Sequence, residues 1–252
     1  MCAMIKSLAI AVGLGLLAAA AQAEPTHVMI RAQALDAKFI GDHMGGVKVT
    51  LTDATTGRRL ATGLTKGGTG DTPKLMKTPR VRGVQVTDAD TAGFDAVLDL
   101  AKPTLVRADA EGPMGKPASA IHVSSTLWVI PGRNVTGDGW VLTFPGLVIE
   151  PKAMLTGPGA LQVDAKVSLM CGCPIEPGGL WDANTYSIEA SLLRAGQVAA
   201  QKTLAYAGQP SQFTGAFAAV PPGRYVLRIV ATDAKTPNAG VRQQAVDIPK
   251  KR

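Results

Sequence analysis

Catalytic signatures are what this 252-residue chain most plainly lacks. It carries no nucleophile elbow, no H-E-x-x-H zinc motif and no phosphate-cradling glycine loop opening a helix, which removes the commonest hydrolase, metalloprotease and nucleotide-binding readings. Its three histidines, His27, His43 and His122, all fall in the first half, and none has a neighbour that suggests a triad. Aromatic residues amount to only 4%. The net charge of +7 is therefore not interleaved with stacking side chains, and outside residues 66–82 and the Lys250-Lys251-Arg252 tail it is spread along the chain. That pattern argues against a nucleic-acid surface and leaves an anionic lipid or a partner protein as what such charge would meet. Sustained helical periodicity and internal repeats are also missing. What remains is rich in turn formers, with 28 Gly and 17 Pro separating short alternating segments, a composition that suits a strand-rich globular protein.

The N-terminus stands apart. Lys6 supplies a positive start, residues 8–20 an apolar run, and Ala21-Gln22-Ala23 a cleavage site, together the features of a secretory signal peptide. The run is shorter than the roughly 20 residues a membrane span needs. Residues 1–23 are expected to be removed, taking Cys2 with them. The mature chain would begin near Glu24, with no transmembrane segment, and reside in the periplasm or outside the cell.

From there the pattern is of period two. Val28, Ile30 and Ala32 oppose His27, Met29 and Arg31; Val47, Val49 and Leu51 alternate with polar partners before an Asp53–Gly57 turn. Further strands are expected over 94–100, 104–110, 122–130, 140–144 and 147–150, with a tight turn at Gly137-Asp138-Gly139. Asp88 is placed to cap one helical turn. Residues 66–82 form a long, basic, glycine-containing loop. Beyond a boundary set at Pro151, strands are expected over 163–173, 186–192, 198–206, 211–219, 225–230 and 241–248. The fold class is thus all-β, two antiparallel β-sandwich domains over residues 24–150 and 151–252.

Two resemblances accompany this reading. Gly46-Val47-Lys48-Val49-Thr50-Leu51, Thr56-Gly57, and Gly93-Phe94 with Val97 and Leu98 resemble the transthyretin-like carboxypeptidase regulatory domains, which implies a non-catalytic seven-stranded sandwich. The Pro222-Gly223-Arg224-Tyr225 entry and the hairpin after it resemble the closing strands of bacterial immunoglobulin-like or fibronectin type III-like domains. Fold likeness of this kind implies no chemistry.

Chemistry concentrates at Met170-Cys171-Gly172-Cys173-Pro174, which holds both cysteines of the mature chain. On an extended strand both sulfurs would share one face, with Met170 on the other. Their Cα atoms would then lie roughly 6.6 to 7 Å apart, at the outer limit for a disulfide, and Gly172 is the residue able to draw them closer. Three readings stay open: a short structural disulfide, a Cu(I) site, and a thiol redox pair. In the copper reading Cys171 and Cys173 are joined by Met170 or by His43 and Met44 of the glycine-rich Gly41-Asp42-His43-Met44-Gly45-Gly46 segment. The redox pair would make the chain a thiol-disulfide oxidoreductase. Trp128 and Trp140 read as strand packing, while Trp181 is placed to cover the cysteine loop. Glu176 and Asp182 read as solvated. The expectation is an exported, non-enzymatic binding or accessory protein without a cofactor, copper aside, acting on a protein or small-molecule partner.

Overall fold

The computed structural model describes residues 24–250; the expected signal segment and the last two residues of the tail lie outside the described residues. Fifteen strands organise the described chain. The first seven are β1 (Glu24–Ala34), β2 (Lys48–Asp53), β3 (Arg59–Leu64), β4 (Phe94–Leu100), β5 (Thr104–Gly112), β6 (Ile121–Val129) and β7 (Val135–Phe144). They form a three-stranded sheet, β4-β1-β7, and a four-stranded sheet, β3-β2-β5-β6, packed through β3 against β4 and β6 against β7. The rest are β8 (Leu147–Gly157), β9 (Ala160–Leu169), β10 (Tyr186–Arg194), β11 (Gln197–Thr203), β12 (Ala205–Tyr206), β13 (Gln212–Phe217), β14 (Gly223–Asp233) and β15 (Ala239–Ile248). These make the sheets β12-β13-β9-β8 and β11-β10-β14-β15. Each half is a β-sandwich. Pairing between named strands is antiparallel throughout except for β1 with β7, which is parallel.

Alternation dictates which face goes inward. Val28, Ile30, Ala32 and Ala34 of β1 are buried, as are Ala96, Leu98 and Leu100 of β4 and Val106, Ala108 and Ala110 of β5. Each fully buried valine, leucine or isoleucine contributes about 1.5 to 3 kcal/mol relative to exposure, so a register slip that turned such a face outward would cost more than the fold's whole margin. Apart from a small separate group, the buried apolar side chains of both sandwiches form one cluster, continuous from Val28 through Phe144, Leu147 and Met170 to Ile248. Asn238, 2% exposed, pins the junction: its Oδ1 accepts from Gly146 N at 2.8 Å and its Nδ2 donates to Leu35 O at 3.1 Å.

Several boundaries fall elsewhere than the local pattern puts them. Pro151 lies inside β8, which pairs with β9 from Leu147↔Leu169 to Gly157↔Ala160; proline is accepted because β8 is an edge of its sheet. Gly137-Asp138-Gly139 is no hairpin turn but an excursion within β7: the register with β1 steps from Val28↔Val135 to Ile30↔Trp140. The excursion presses close to β1, since a Cβ on Gly139 would collide with Met29 O. The single return strand expected over 198–206 divides at buried Leu204, with β11 on β10 and β12 crossing to β13. Asp88 makes a turn closed by its exchange of hydrogen bonds with the Thr91 hydroxyl, and no helical turn follows.

Candidate functional site

Strand β9 stops at Leu169, short of the cysteines, because Gly172 adopts φ +74°. Only a residue without Cβ takes that conformation without strain. Gly172 N donates to Leu169 O at 2.8 Å and Leu169 N to Cys173 O at 3.3 Å, folding Met170 to Cys173 into a tight turn. The cysteine Cα atoms come to 5.3 Å, and Cys171 and Cys173 are joined in a disulfide. Both are buried, at 0% and 5% exposure, so the expected strand-borne, displayed sulfur pair is instead a buried turn in the wall of a cleft.

The chain after the turn is fixed to its own sandwich. Ile175 N donates to Ser211 Oγ at 3.1 Å and Ser211 N returns a bond to Ile175 O at 2.7 Å. Asp182, expected to be simply solvated, is a capping group whose Oδ1 accepts from the Asn184 and Gly178 backbone N–H groups, both at 3.1 Å. Those hydrogen bonds hold its carboxyl below the usual carboxylate range.

The first sandwich supplies the facing wall. A single 3-10 turn, Asp42–Met44, closes on Gly45 at φ +79°, and Met44 O accepts from Gly115 N at 2.8 Å. This sets His43 and Met44 directly over the cystine. His43 Nε2 donates to Cys171 O at 2.8 Å, and a Cβ on Gly172 would lie 2.7 Å from that nitrogen and 2.8 Å from Met44 Sδ. Trp181, 7% exposed, lines the same cleft as the cystine and donates its Nε1–H to Asp36 O at 2.9 Å, which ties the two halves.

Between the walls lies a cleft of about 480 Å³, lined by Lys38, Thr69 and Thr72 on one side and by the cystine, Glu176 and Leu180 on the other. Lys38 Nζ donates to Thr72 Oγ1 at 2.9 Å, which presents its charge along the rim.

Of the candidate ligands, the structure brings Cys171, Cys173, His43 and Met44 together. Met170 is left out: it is 1% exposed, and its methyl packs over Gly146 in the junction core, on the side away from the cleft. With the disulfide closed, no group of three His, Cys, Asp or Glu side chains among the described residues is placed to hold a metal ion. His27 pairs with Asp95 at 2.9 Å and His122 faces Asp109 at 3.7 Å, both on the surface. Trp140 is packed at 8% exposure, whereas Trp128 on edge strand β6 is 61% exposed.

Local sequence gave no sign of Lys38, Thr69, Thr72 or Leu180, since each becomes part of the site only when distant segments meet. The same holds for the basic segment. Residues 66–93 are anchored at several points while 77–85 stay exposed: Leu75 is buried with Phe39 and Ala92 in a small separate core, and bridges pair Lys66 with Gly93 and Gly68 with Thr91. Beneath them lies Arg31, 4% exposed, whose Nη1 donates to Thr91 O and, at 3.0 Å, to Ala92 O. Asp138, thrust out by the β7 excursion, accepts from Thr87 N at 2.9 Å, the Thr87 hydroxyl at 2.8 Å and Val86 N at 3.0 Å. Burial works to raise the Asp138 pKa, but these hydrogen bonds and the Arg80 charge outweigh it and hold the carboxyl below its ordinary range.

The fold and site together define a β-sandwich protein with a cystine-walled cleft at the meeting of its halves. No protein-family model matches the chain, and no curated protein is found similar to it. Among solved structures it is similar to a DUF3823 family protein from Bacteroides ovatus, with 10% identity over 88% of this chain and 98% of that one and a TM-score of 0.32. It is likewise similar to the chicken interferon gamma receptor alpha chain, with 10% identity over 89% of this chain and 98% of that one and a TM-score of 0.33. No helix among the described residues is long and apolar enough to cross a membrane.

Proposed function

We propose that this chain is an exported, non-enzymatic binding or accessory protein of the periplasm or the extracellular space, whose ligand seats in the cleft between its two halves. One observation carries the reading: residues some 130 positions apart in the chain, His43 and the Cys171–Cys173 turn, build one pocket, with His43 Nε2 bonded to Cys171 O across a separation of 128. Its volume of about 480 Å³ suits a small molecule or a short peptide. The signal-like segment and a disulfide both suit an oxidising compartment.

The test is a thermal-shift panel of amino acids, dipeptides and small carboxylates on purified protein and on Leu180→Arg. Leu180 is 50% exposed on the cleft rim, so the variant keeps the fold while obstructing entry. At least one compound should raise the wild-type Tm and lose its effect in the variant. Shifts equal in both proteins, or none, would refute cleft binding. Mass analysis of the exported chain should show it beginning at Glu24.

A second reading, Cu(I) binding by Cys171 and Cys173, is favoured by the convergence of His43 and Met44 on the glycine between them. A thiol oxidoreductase is supported less well, because sulfurs exposed at 0% and 5% are out of reach of a protein thiol.

A further inference from the structure

We propose that the cystine turn is the closed form of a redox-gated Cu(I) site, in which Cys171 and Cys173 supply two thiolates and Met44 a thioether; this rests on the copper reading above and adds its ligand set and its control. The turn is held independently of the S–S bond. Gly172 N to Leu169 O, His43 Nε2 to Cys171 O and the Ile175–Ser211 pair are all bonds to backbone that reduction leaves untouched. The two sulfurs therefore stay neighbours once reduced. Met44 is 4% exposed and its Sδ lies against Gly172, between the two cysteines in sequence, which offers a third soft donor beside the turn. Other donors are committed elsewhere: Met170 is in the junction core and Asp182 caps its own loop.

Donor chemistry selects the ion. Three sulfurs suit a soft, low-coordinate d10 cation such as Cu(I), whereas Zn(II) demands a fourth ligand in tetrahedral array. In this arrangement the His43 Nε2 proton is given to the Cys171 carbonyl, which makes His43 a positioning residue that holds the turn under Met44. Two thiolates and one Cu(I) leave the site with a net negative charge, and Lys38 on the same cleft offsets it.

The gate balances as thiol exchange. A low-mass dithiol entering the cleft passes two electrons to the S–S bond and leaves as its own disulfide, while its two protons end on Cys171 and Cys173. Cu(I) then displaces both protons and forms two Cu–S bonds with no change in oxidation state. A small disulfide closes the site again: it takes two electrons from the thiolates and two protons from solvent and leaves as thiols, the protein S–S bond re-forms, and Cu(I) is released.

Competition with bathocuproine disulfonate under anaerobic conditions tests this on the exported protein, oxidised as isolated or reduced with a phosphine and desalted. Reduced wild type should take up a single Cu(I) with thiolate charge-transfer absorption in the ultraviolet, and oxidised protein none. Cys171→Ser/Cys173→Ser should take up none. Met44→Leu, which conserves volume and fold, should bind about tenfold more weakly, whereas His43→Gln, whose amide keeps a donor for the Cys171 carbonyl, should stay within about twofold. No uptake by reduced protein would sink both this proposal and the copper reading. Uptake by reduced wild type that Met44→Leu leaves unchanged, or that His43→Gln abolishes, would overturn the ligand set and leave the copper reading standing. Equal uptake by oxidised protein would overturn the gate.

Discussion

Two irregular segments face each other across the cleft, residues 66–93 from the first sandwich and residues 170–185 from the second, and they are held in place by different means. The longer one has enough apolar surface to bury a small core of its own, Leu75 with Phe39 and Ala92. Its backbone is then satisfied by two charged side chains that reach it from the sheet, Arg31 from β1 and Asp138 from β7. The shorter one builds no core of its own but buries Met170, Ile175, Trp181 and Ala183 in the main one, and adds a covalent bond, with Ser211 and Asp182 taking backbone groups. The contrast shows what a polar turn-rich segment needs in order to become a rigid wall: its carbonyls and N–H groups must be paired, since each left buried and unpaired costs on the order of 1 to 3 kcal/mol.

If that account is right, the largest loss comes from the first wall. Arg31→Leu removes the donors that meet Thr91 and Ala92 carbonyls at once and should lower stability by about 3 kcal/mol in denaturant unfolding, with the greatest gain in hydrogen exchange over residues 86–93. Asp138→Ala should cost about 2 kcal/mol at neutral pH by freeing the Val86 and Thr87 donors. Its cost depends on pH in a defined direction. The folded pKa of Asp138 is below its unfolded value near about 3.9, so the stabilisation is complete at neutral pH and disappears as pH falls through the folded pKa. Wild type and variant should therefore begin to converge in Tm as pH falls below about 4 and meet only below the folded pKa, and a gap that does not narrow over that range would show that the charge is not what holds the segment.

The second wall should prove less costly to open. A ring closed over a single intervening residue removes little unfolded-state entropy, so Cys171→Ser/Cys173→Ser should lose only about 1.5 kcal/mol. A loss as large as that of Arg31→Leu would mean the disulfide, and not the hydrogen bonds around it, maintains the turn. Smallest of all, Trp128→Ser on edge strand β6, where the indole is 61% exposed, should change stability by no more than about 0.5 kcal/mol. It serves as the reference for changes that touch neither wall.

Legibility followed the range of the interaction. β4 is found over Phe94–Leu100, where its alternation put it, and the Asp53 turn closes as its residues suggest, with Asp53 Oδ1 accepting from Thr55 N at 2.9 Å. Gly172 was readable as the residue that could draw the cysteines together, because that need arises from backbone geometry within five residues. The Gly137-Asp138-Gly139 excursion was misread, since the same glycines serve a hairpin turn and a bulge, and only pairing with β1 decides between them. Alternation puts Arg31 on the β1 face opposite Val28, Ile30 and Ala32, but it does not show that residues 91 and 92 cover that face and leave Arg31 buried.

From its residues alone, then, the chain settles an all-β body and the place along it where sulfur chemistry resides, because side-chain alternation and glycine's freedom at positive φ act over a few neighbours. That His43 and Met44 meet this turn, that Lys38 and Thr72 line the same cleft, and that Met170 does not, was decided by how the two sandwiches pack. Period two tells which face of a strand is buried, and carries no information about which distant loop will arrive above it.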